Sequence, residues 1–198
     1  MTSLWLADRI TTSPASGTAD DLPDIADVVV AGAGITRLMA AVLLTRAGRQ
    51  VLVLEARTVG ACATGNTTAK ISLLQGTQLS TISAKQGKSL AAAYVDGNRA
   101  GQDWLLSFCA ATGVPVQRED AYSFAQSERG VAAARAEYQA CRALGMLATW
   151  EAEADVPFSY HGGARLGDQA QFDPMPFLDA LRAELLATGG QLLEHTRV

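Results

Sequence analysis

Two glycines and one glutamate in the first third of the chain have the types and spacing of a nucleotide-binding site. Gly32 and Gly34 are separated by a single residue, and Glu55 follows at roughly the 20-residue offset of dinucleotide sites. The first glycine allows a tight turn, the second lets the backbone approach a pyrophosphate, and the acid accepts hydrogen bonds from a ribose. These residues predict a site for a dinucleotide, without deciding between NAD and FAD.

The neighbouring residues predict the elements that position this site. A run over 27–31, apolar after Asp27, precedes the glycines, and a second apolar run over 51–54 ends at Glu55. Between the two runs, apolar residues recur at helical spacing until Gly48: Ile35, Leu38, Met39, Val42 and Leu43. This order is typical of a βαβ unit, in which the helix N-terminus attracts phosphate. The unbroken first run predicts a parallel strand that helices cover on both faces.

Arg37 departs from the glycine pattern, which would have a third glycine at this position. The third glycine permits close packing of the helix on the strand, so an arginine is expected to overpack that contact at a cost of about 1 to 3 kcal/mol. We therefore expect Arg37 to weaken nucleotide binding. The alternative is that its side chain bends until the guanidinium reaches solvent or pairs with the phosphates.

A loop of small and hydroxyl-bearing residues follows Glu55 over 56–70. Its backbone amides and threonine hydroxyls could bind phosphate groups or a ring, with Lys70 as a cation. The alternative is a flexible surface loop in which Lys70 is an ordinary surface lysine.

Composition and charge exclude several classes of function. The chain has 198 residues, of which 48% are hydrophobic, and a net charge of −4. An acidic balance without a basic stripe argues against nucleic-acid binding, and no apolar run approaches the roughly 20 residues of a membrane span. The N-terminus lacks the basic and apolar segments of a secretory signal. We expect a globular cytoplasmic protein.

The cysteines and histidines do not have the spacing of a metal site. Cys62, Cys109 and Cys141 are odd in number and far apart, which predicts reduced thiols. Cys109 and Cys141 lie in helical patterns and are expected to be small buried hydrophobes. Cys62 lies in the loop after Glu55, where a functional thiol is the alternative to a structural one. His161 and His195 are interpreted as structural.

Several stretches carry a resemblance to a known family: 3–6, 27–41, 55–70, 167–174 and 190–198. With these motifs, the chain resembles the N-terminal part of the FAD-dependent oxidoreductases of the D-amino-acid oxidase superfamily, which includes glycine oxidase and sarcosine oxidase. It most resembles the branch whose full-length members carry a C-terminal Rieske domain. The resemblance implies a small-molecule amine or amino-acid substrate and FAD as hydride acceptor, and leaves the catalytic residues and the electron acceptor unknown.

The resemblance also implies which residues contact FAD. The pyrophosphate would lie against the glycine turn, the adenosine ribose would bind to Glu55, and the end of the loop would pass toward the isoalloxazine ring. A backbone group of Val198 would meet the adenine. The implied FAD-binding residues are Gly32, Ala33, Gly34, Ile35, Thr36, Glu55, Ala56, Arg57, Ala63, Thr64, Thr68, Ala69, Lys70 and Val198.

The predicted fold class is α/β, a Rossmann-like FAD-binding domain with a partial α+β substrate domain inserted. We expect an N-terminal arm over 1–24, the first part of the FAD-binding domain over 25–114, the start of the substrate domain over 115–165, and a return to the FAD-binding domain over 166–198. Family members continue for a comparable length or more, so we expect an N-terminal fragment.

Periodicity and glycine positions predict the remaining elements. Helices are expected over 79–87, 88–113, 128–145 and 174–188, and a strand over 191–194. Two short strands are expected within 116–126, interrupted near Asp120. Residues 157–171 are expected to form loops and short strands.

Three functions are compatible with these patterns. The first is an FAD-dependent oxidoreductase that oxidises an amine or amino acid. The second is a catalytically inactive or vestigial nucleotide-binding domain, which Arg37 and the short length favour. The third is an NAD-dependent dehydrogenase, which Glu55 permits and the long threonine-rich loop does not favour.

Overall fold

The structure is a computed structural model that describes residues 3–7, 22–23 and 25–198. Its strands are β1 (Val28–Ala31), β2 (Val51–Leu54), β3 (Lys70–Ile71), β4 (Val116–Phe124), β5 (Thr149–Glu151), β6 (Gly163–Phe172) and β7 (Gln191–Leu193). Its α-helices are α1 (Ile35–Arg46), α2 (Gln78–Gln86), α3 (Lys88–Thr112), α4 (Glu128–Ala143) and α5 (Pro174–Ala187). The helices predicted from periodicity are confirmed, with ends that shift by one or two residues.

The chain forms two compact units. The first contains the described residues up to Ala69 together with Asp173–Val198, and the second is Lys70–Phe172. The prediction placed 70–114 with the FAD-binding part, whereas the observed division groups α2 and α3 with the second unit, since α2 contacts both α3 and α4. The predicted N-terminal arm over 1–24 lies largely outside the described residues.

The first unit contains the predicted βαβ element. Its parallel sheet has the order β1-β2-β7, with Val30 opposite Val53 and Val53 opposite Leu192. Helices α1 and α5 pack against each other and contact the sheet. The buried face of α1 is formed by Leu38, Ala41, Val42 and Thr45. This face is rotated from the predicted stripe, so Leu43 is 45% exposed. Thr45 lies on the buried face instead, where its hydroxyl is 3.0 Å from the hydroxyl of Thr188, the C-cap of α5.

The prediction that helices cover β1 on both faces is wrong for the described residues. β1 pairs only with β2 and lies at the edge of this sheet, and Val29 is 54% exposed. Successive side chains of a strand point to opposite faces, so an edge strand with one covered face alternates in burial. In contrast, β2 lies between β1 and β7 and buries Val51, Leu52 and Val53. The parallel pairing itself is as predicted.

The second unit is built on an antiparallel sheet of order β3-β6-β4, with β5 also paired to β6. The expectation of loops and short strands over 157–171 is wrong for its second half, because Gly163–Phe172 forms one long strand with partners on both sides. The predicted interruption near Asp120 is a register shift between Glu119 and Ala121 within the single strand β4. The core of this unit consists of Leu74, Leu79, Val95, Cys141, Met146, Ala148, Ala164 and Leu166.

Candidate functional site

The glycine turn lies in the first unit, between the end of β1 and the start of α1. Gly32 has φ of +104°, a conformation that side-chain-bearing residues rarely adopt, and its amide donates to the Leu54 carbonyl at 2.6 Å. Gly34 is the N-cap of α1 and offers no side chain to the free amides of the first helical turn. The turn thus ties the two parallel strands together and leaves the helix N-terminus exposed to a ligand.

A cavity of about 400 Å³ opens at this helix N-terminus. It is lined by Gly34, Ile35, Thr36, Arg37, Glu55, Gly60, Ala61, Cys62, Ala63 and Thr64. Within the described part of the chain, the backbone amides of Gly34 and Thr36 have no hydrogen-bond acceptor. Free amides at the positive end of a helix dipole attract anions, so the cavity has the character of a phosphate site.

Thr64 closes one side of this cavity. It begins a 3₁₀ turn over Thr64–Asn66, is buried, and accepts a hydrogen bond of 3.0 Å from the Ile35 amide through its hydroxyl oxygen. A Cβ atom at Gly34 would lie 3.3 Å from that oxygen, so a side chain there would push Thr64 away by a few tenths of an ångström. Because the hydroxyl oxygen accepts from the helix, its own hydrogen is free to be donated to an anionic ligand.

Glu55 fixes the conformation of the turn. Its carboxylate is 9% exposed and accepts hydrogen bonds from the Ala33 amide at 2.7 Å and the Arg57 amide at 2.8 Å, one on each oxygen. Each carboxylate oxygen has a second acceptor site. Glu55 also lines the cavity, so it can accept hydrogen bonds from ligand hydroxyls while it holds the turn.

The expected overpacking by Arg37 is wrong. Its side chain is exposed and bends back over the glycine turn, so a Cβ atom built at Gly32 would lie 2.7 Å from Arg37 Nη1. The helix is free to pack through Ala41 and Leu38, which are fully buried, because the arginine leaves the helix–strand contact. Arg37 therefore lines the cavity instead of blocking the packing of α1.

The loop after Glu55 is held by contacts along its length, unlike the alternative of a flexible surface loop. Gly60 donates to the Ala33 carbonyl at 3.2 Å, and Gly65 donates to the Gly60 carbonyl at 2.8 Å. A Cβ atom at Gly60 would lie 2.6 Å from Leu178 Cδ1, so the loop packs closely on α5. The Trp5 indole donates to the Thr67 carbonyl at 2.8 Å, which connects the N-terminal motif to the same loop.

Part of the predicted FAD-binding set lines the cavity, and part does not. The lining members are Gly34, Ile35, Thr36, Glu55, Ala63 and Thr64, while Gly32 and Ala33 form the adjoining turn. The remaining predicted residues of the first unit lie outside the lining: Ala56, Arg57, Thr68, Ala69 and Val198. Lys70 belongs to the second unit, where it pairs with Gln171.

Sequence reasoning missed Gly60 and Ala61 as lining residues and treated Arg37 as an obstruction. The sequence signal for this part of the site is the pair of glycines Gly60 and Gly65. In the structure neither position has room for a side chain, because the loop backbone there lies close to α5 or to other backbone atoms.

The cysteines behave as the helical patterns predict. Burial raises the pKa of the Cys109 thiol to about 11 and that of the Cys141 thiol to about 12, the latter with a contribution from the Glu137 carboxylate. Both remain protonated thiols near neutral pH. Cys62 is exposed at the edge of the cavity.

The described residues contain neither a cluster of metal ligands nor a helix that could cross a membrane. Histidine, cysteine and acidic side chains nowhere cluster in threes as a metal site requires. None of the described helices combines the length and apolar character that crossing a membrane requires.

One curated relative shares sequence with most of this chain. It is the Rieske 2Fe-2S iron-sulfur protein YhfW of Bacillus subtilis, which is 26% identical in an alignment 189 residues long that covers 90% of this chain and 37% of YhfW. This chain thus spans little more than a third of the length of that relative.

Solved structures show the same fold at low sequence identity. L-proline dehydrogenase from P. horikoshii superposes with a TM-score of 0.66 at 17% identity, over 88% of this chain and 45% of the dehydrogenase. Glycine oxidase from Bacillus cereus superposes with a TM-score of 0.62 at 16% identity, over 88% of this chain and 47% of the oxidase. Residues 27–198 match the DAO family, described as FAD dependent oxidoreductase. The chain therefore belongs to the family of FAD-dependent oxidoreductases.

Proposed function

We propose that the first unit binds FAD at the N-terminus of α1 and that the chain is part of an enzyme that oxidises a small amine or amino acid. The observation that carries the proposal is the cavity of about 400 Å³ at that helix N-terminus, with the free amides of Gly34 and Thr36 in its lining. A diphosphate fits this environment, since amides and helix dipole both favour negative charge.

The residues around the cavity match the other parts of a dinucleotide. Gly34 lets backbone atoms approach the diphosphate, and the Thr64 hydroxyl can donate to a phosphate oxygen. The second acceptor sites of the Glu55 carboxylate suit the ribose hydroxyls of adenosine. Ala56, Arg57, Thr68, Ala69, Lys70 and Val198 belong to the proposal through the family resemblance alone.

Family membership supports the proposed substrate class. Bound FAD supplies a two-electron acceptor for the hydride on the carbon next to the substrate nitrogen. The names of the structurally similar proteins, a proline dehydrogenase and a glycine oxidase, support an amino acid or a related amine. We assign FAD binding to the first unit and substrate contacts to the second.

The FAD site can be tested by titrating the purified chain with FAD and following flavin fluorescence. Replacing Gly34→Ala puts a methyl group 3.3 Å from Thr64 Oγ1 and should weaken FAD binding about tenfold, or roughly 1.4 kcal/mol. The matched control is Gly101→Ala in α3, where the added methyl group meets nothing within 4 Å. Absence of FAD binding by the unaltered chain, or equal weakening by both variants, would contradict the proposed site.

The proposed oxidation needs a separate test. The FAD-loaded chain is mixed anaerobically with proline, glycine and simple amines, and the flavin absorbance is followed. Bleaching by one of them supports the proposed reaction. Binding of FAD without bleaching by any of them would favour the non-catalytic nucleotide-binding alternative for this chain.

A further inference from the structure

Arg37 puts a positive charge at the phosphate end of the cavity. Its stem crosses the glycine turn, with Cδ 3.1 Å and Nη1 2.7 Å from the point where a Cβ atom on Gly32 would lie. The absence of a side chain at Gly32 is what makes room for this conformation. Although Arg37 lies in the first turn of α1, its guanidinium therefore lies beside Gly32, at the end of β1.

No acidic group in the described part of the chain pairs with Arg37. Arg46, on the same helix, pairs with Glu184 at 2.5 Å. The other charged residue of the cavity lining is Glu55, and none of the ion pairs among the described residues joins it to Arg37. The N–H donors of the Arg37 guanidinium are therefore available to a ligand in the cavity.

We propose that Arg37 binds the diphosphate of the dinucleotide through its guanidinium and thereby determines how tightly this chain holds FAD. This inference rests on the proposed function. A planar guanidinium can make two parallel hydrogen bonds to phosphate oxygens, and such charge-assisted bonds are stronger than those of neutral donors. The family glycine at this position offers no side chain, so the arginine adds a contact where the pattern provides none.

This role predicts a definite order among substitutions at residue 37. Lysine keeps the charge but loses the forked geometry, and glutamine keeps neither. FAD affinity should therefore decrease from the native chain to Arg37→Lys and then to Arg37→Gln, with a loss of about tenfold or more for glutamine. Arg37→Gly, which restores the family residue, should also weaken binding.

The test measures FAD dissociation constants by fluorescence titration at about 0.05 M and about 1 M salt for these variants. Charge pairing is screened at high salt, so the gap between the native chain and Arg37→Gln should narrow there. The matched control is Arg49→Gln, since Arg49 is exposed in the same unit and lies outside the cavity lining. Melting temperatures of ligand-free Arg37→Lys and Arg37→Gln should equal that of the native chain, because Arg37 is exposed. Arg37→Gly should melt at a lower temperature, because it places a glycine inside α1.

Three results would overturn the role of Arg37 alone: native FAD affinity in Arg37→Gln, tighter binding in Arg37→Gly, or a loss of affinity that is the same at both salt concentrations. If the native chain does not bind FAD, the proposed function falls and this inference falls with it. The first three results leave FAD binding by the native chain intact, so the two failures are distinguishable.

Discussion

The carboxylate of Glu55 accepts a hydrogen bond of 2.7 Å from the backbone amide of Ala33, the residue between the two glycines of the turn. Its other oxygen accepts from the Arg57 amide at the start of the following loop. One buried side chain thus fixes both segments that enclose the cavity. In the proposed site this acid binds the adenosine ribose, while its observed hydrogen bonds fix the turn without any ligand.

Glu55→Gln should therefore weaken both the fold and FAD binding. The amide NH₂ of glutamine would face one of the two backbone N–H donors, and an unsatisfied buried donor costs about 1 to 3 kcal/mol. We expect the free energy of unfolding of the ligand-free chain, measured by urea denaturation, to fall by that amount. FAD binding should become at least tenfold weaker. Glu153→Gln, at an exposed position of the second unit, is the control and should change neither. Unchanged unfolding of Glu55→Gln would contradict the structural role.

The Thr64 hydroxyl gives a second prediction, on the N-terminus of α1. Thr64→Val removes the acceptor of the Ile35 amide while keeping the shape, and Thr64→Ser keeps the hydroxyl. Loss of a helix cap costs about 1 kcal/mol, so valine should lower stability by that amount and weaken FAD binding, and serine should do neither to the same extent. Fluorescence titration and thermal unfolding measure the two effects. Equal behaviour of valine and serine would show that the hydroxyl is not used.

A third prediction concerns Glu137, whose side chain is fully buried in the second unit. Its carboxylate accepts from the Leu79 amide at 3.0 Å and the Ser80 amide at 2.8 Å, so a residue of α4 caps the N-terminus of α2. Glu137→Ala leaves these two amides without an acceptor and opens a cavity, and should destabilise the chain by about 3 kcal/mol. Urea denaturation measures this. The exposed Glu128→Ala in the same helix should cost at most about 1 kcal/mol, and equal losses would refute the capping role.

The βαβ unit could be predicted from sequence because its signals are local. The residues 27–55 contain all of them: the strand-helix-strand order, the glycine turn and the acid at the end of β2. The spacing between these features is enough to predict the unit. The edge position of β1 could not be predicted in this way. Strand order depends on β7, far along the chain, and an unbroken run such as Val28–Ala31 looks the same in central and edge strands.

The same limit explains the errors elsewhere. β6 contains Gly163 and Gly167, which locally favour turns, and pairing with β3, β4 and β5 overrides that tendency. The direction of the Arg37 side chain is a rotamer choice that depends on the space above Gly32. The capping of α2 by Glu137 joins residues that are far apart in sequence, so the residues around Leu79 do not predict it.

Thiol reactivity provides a fourth prediction. Because burial raises the pKa of Cys109 to about 11 and of Cys141 to about 12, neither forms thiolate near pH 8 in the native chain. A thiol reagent should modify Cys62, which is exposed, and spare the other two until urea unfolds the chain. Both folded-state pKa values lie above the unfolded-state value of 9.0. The two buried thiols therefore contribute their full stabilisation of the folded state below pH 9, and this contribution is lost as the pH rises toward 11 and 12. Rapid modification of all three in the native state would contradict this.

Glycine-to-alanine substitutions give a fifth prediction: they should raise the stability of the chain at one kind of position and lower it at another. Gly97 and Gly101 lie inside α3, where an added methyl group meets nothing within 4 Å, so alanine should stabilise the chain by about 1 kcal/mol at each position. At Gly65 the methyl group would lie 2.5 Å from the Gly60 carbonyl oxygen, a backbone atom that cannot move alone. Gly65→Ala should therefore lower the melting temperature and weaken FAD binding, because the loop that carries Thr64 must shift. Thermal unfolding of the three single variants checks the signs, and a stabilised Gly65→Ala would contradict the close packing of this loop.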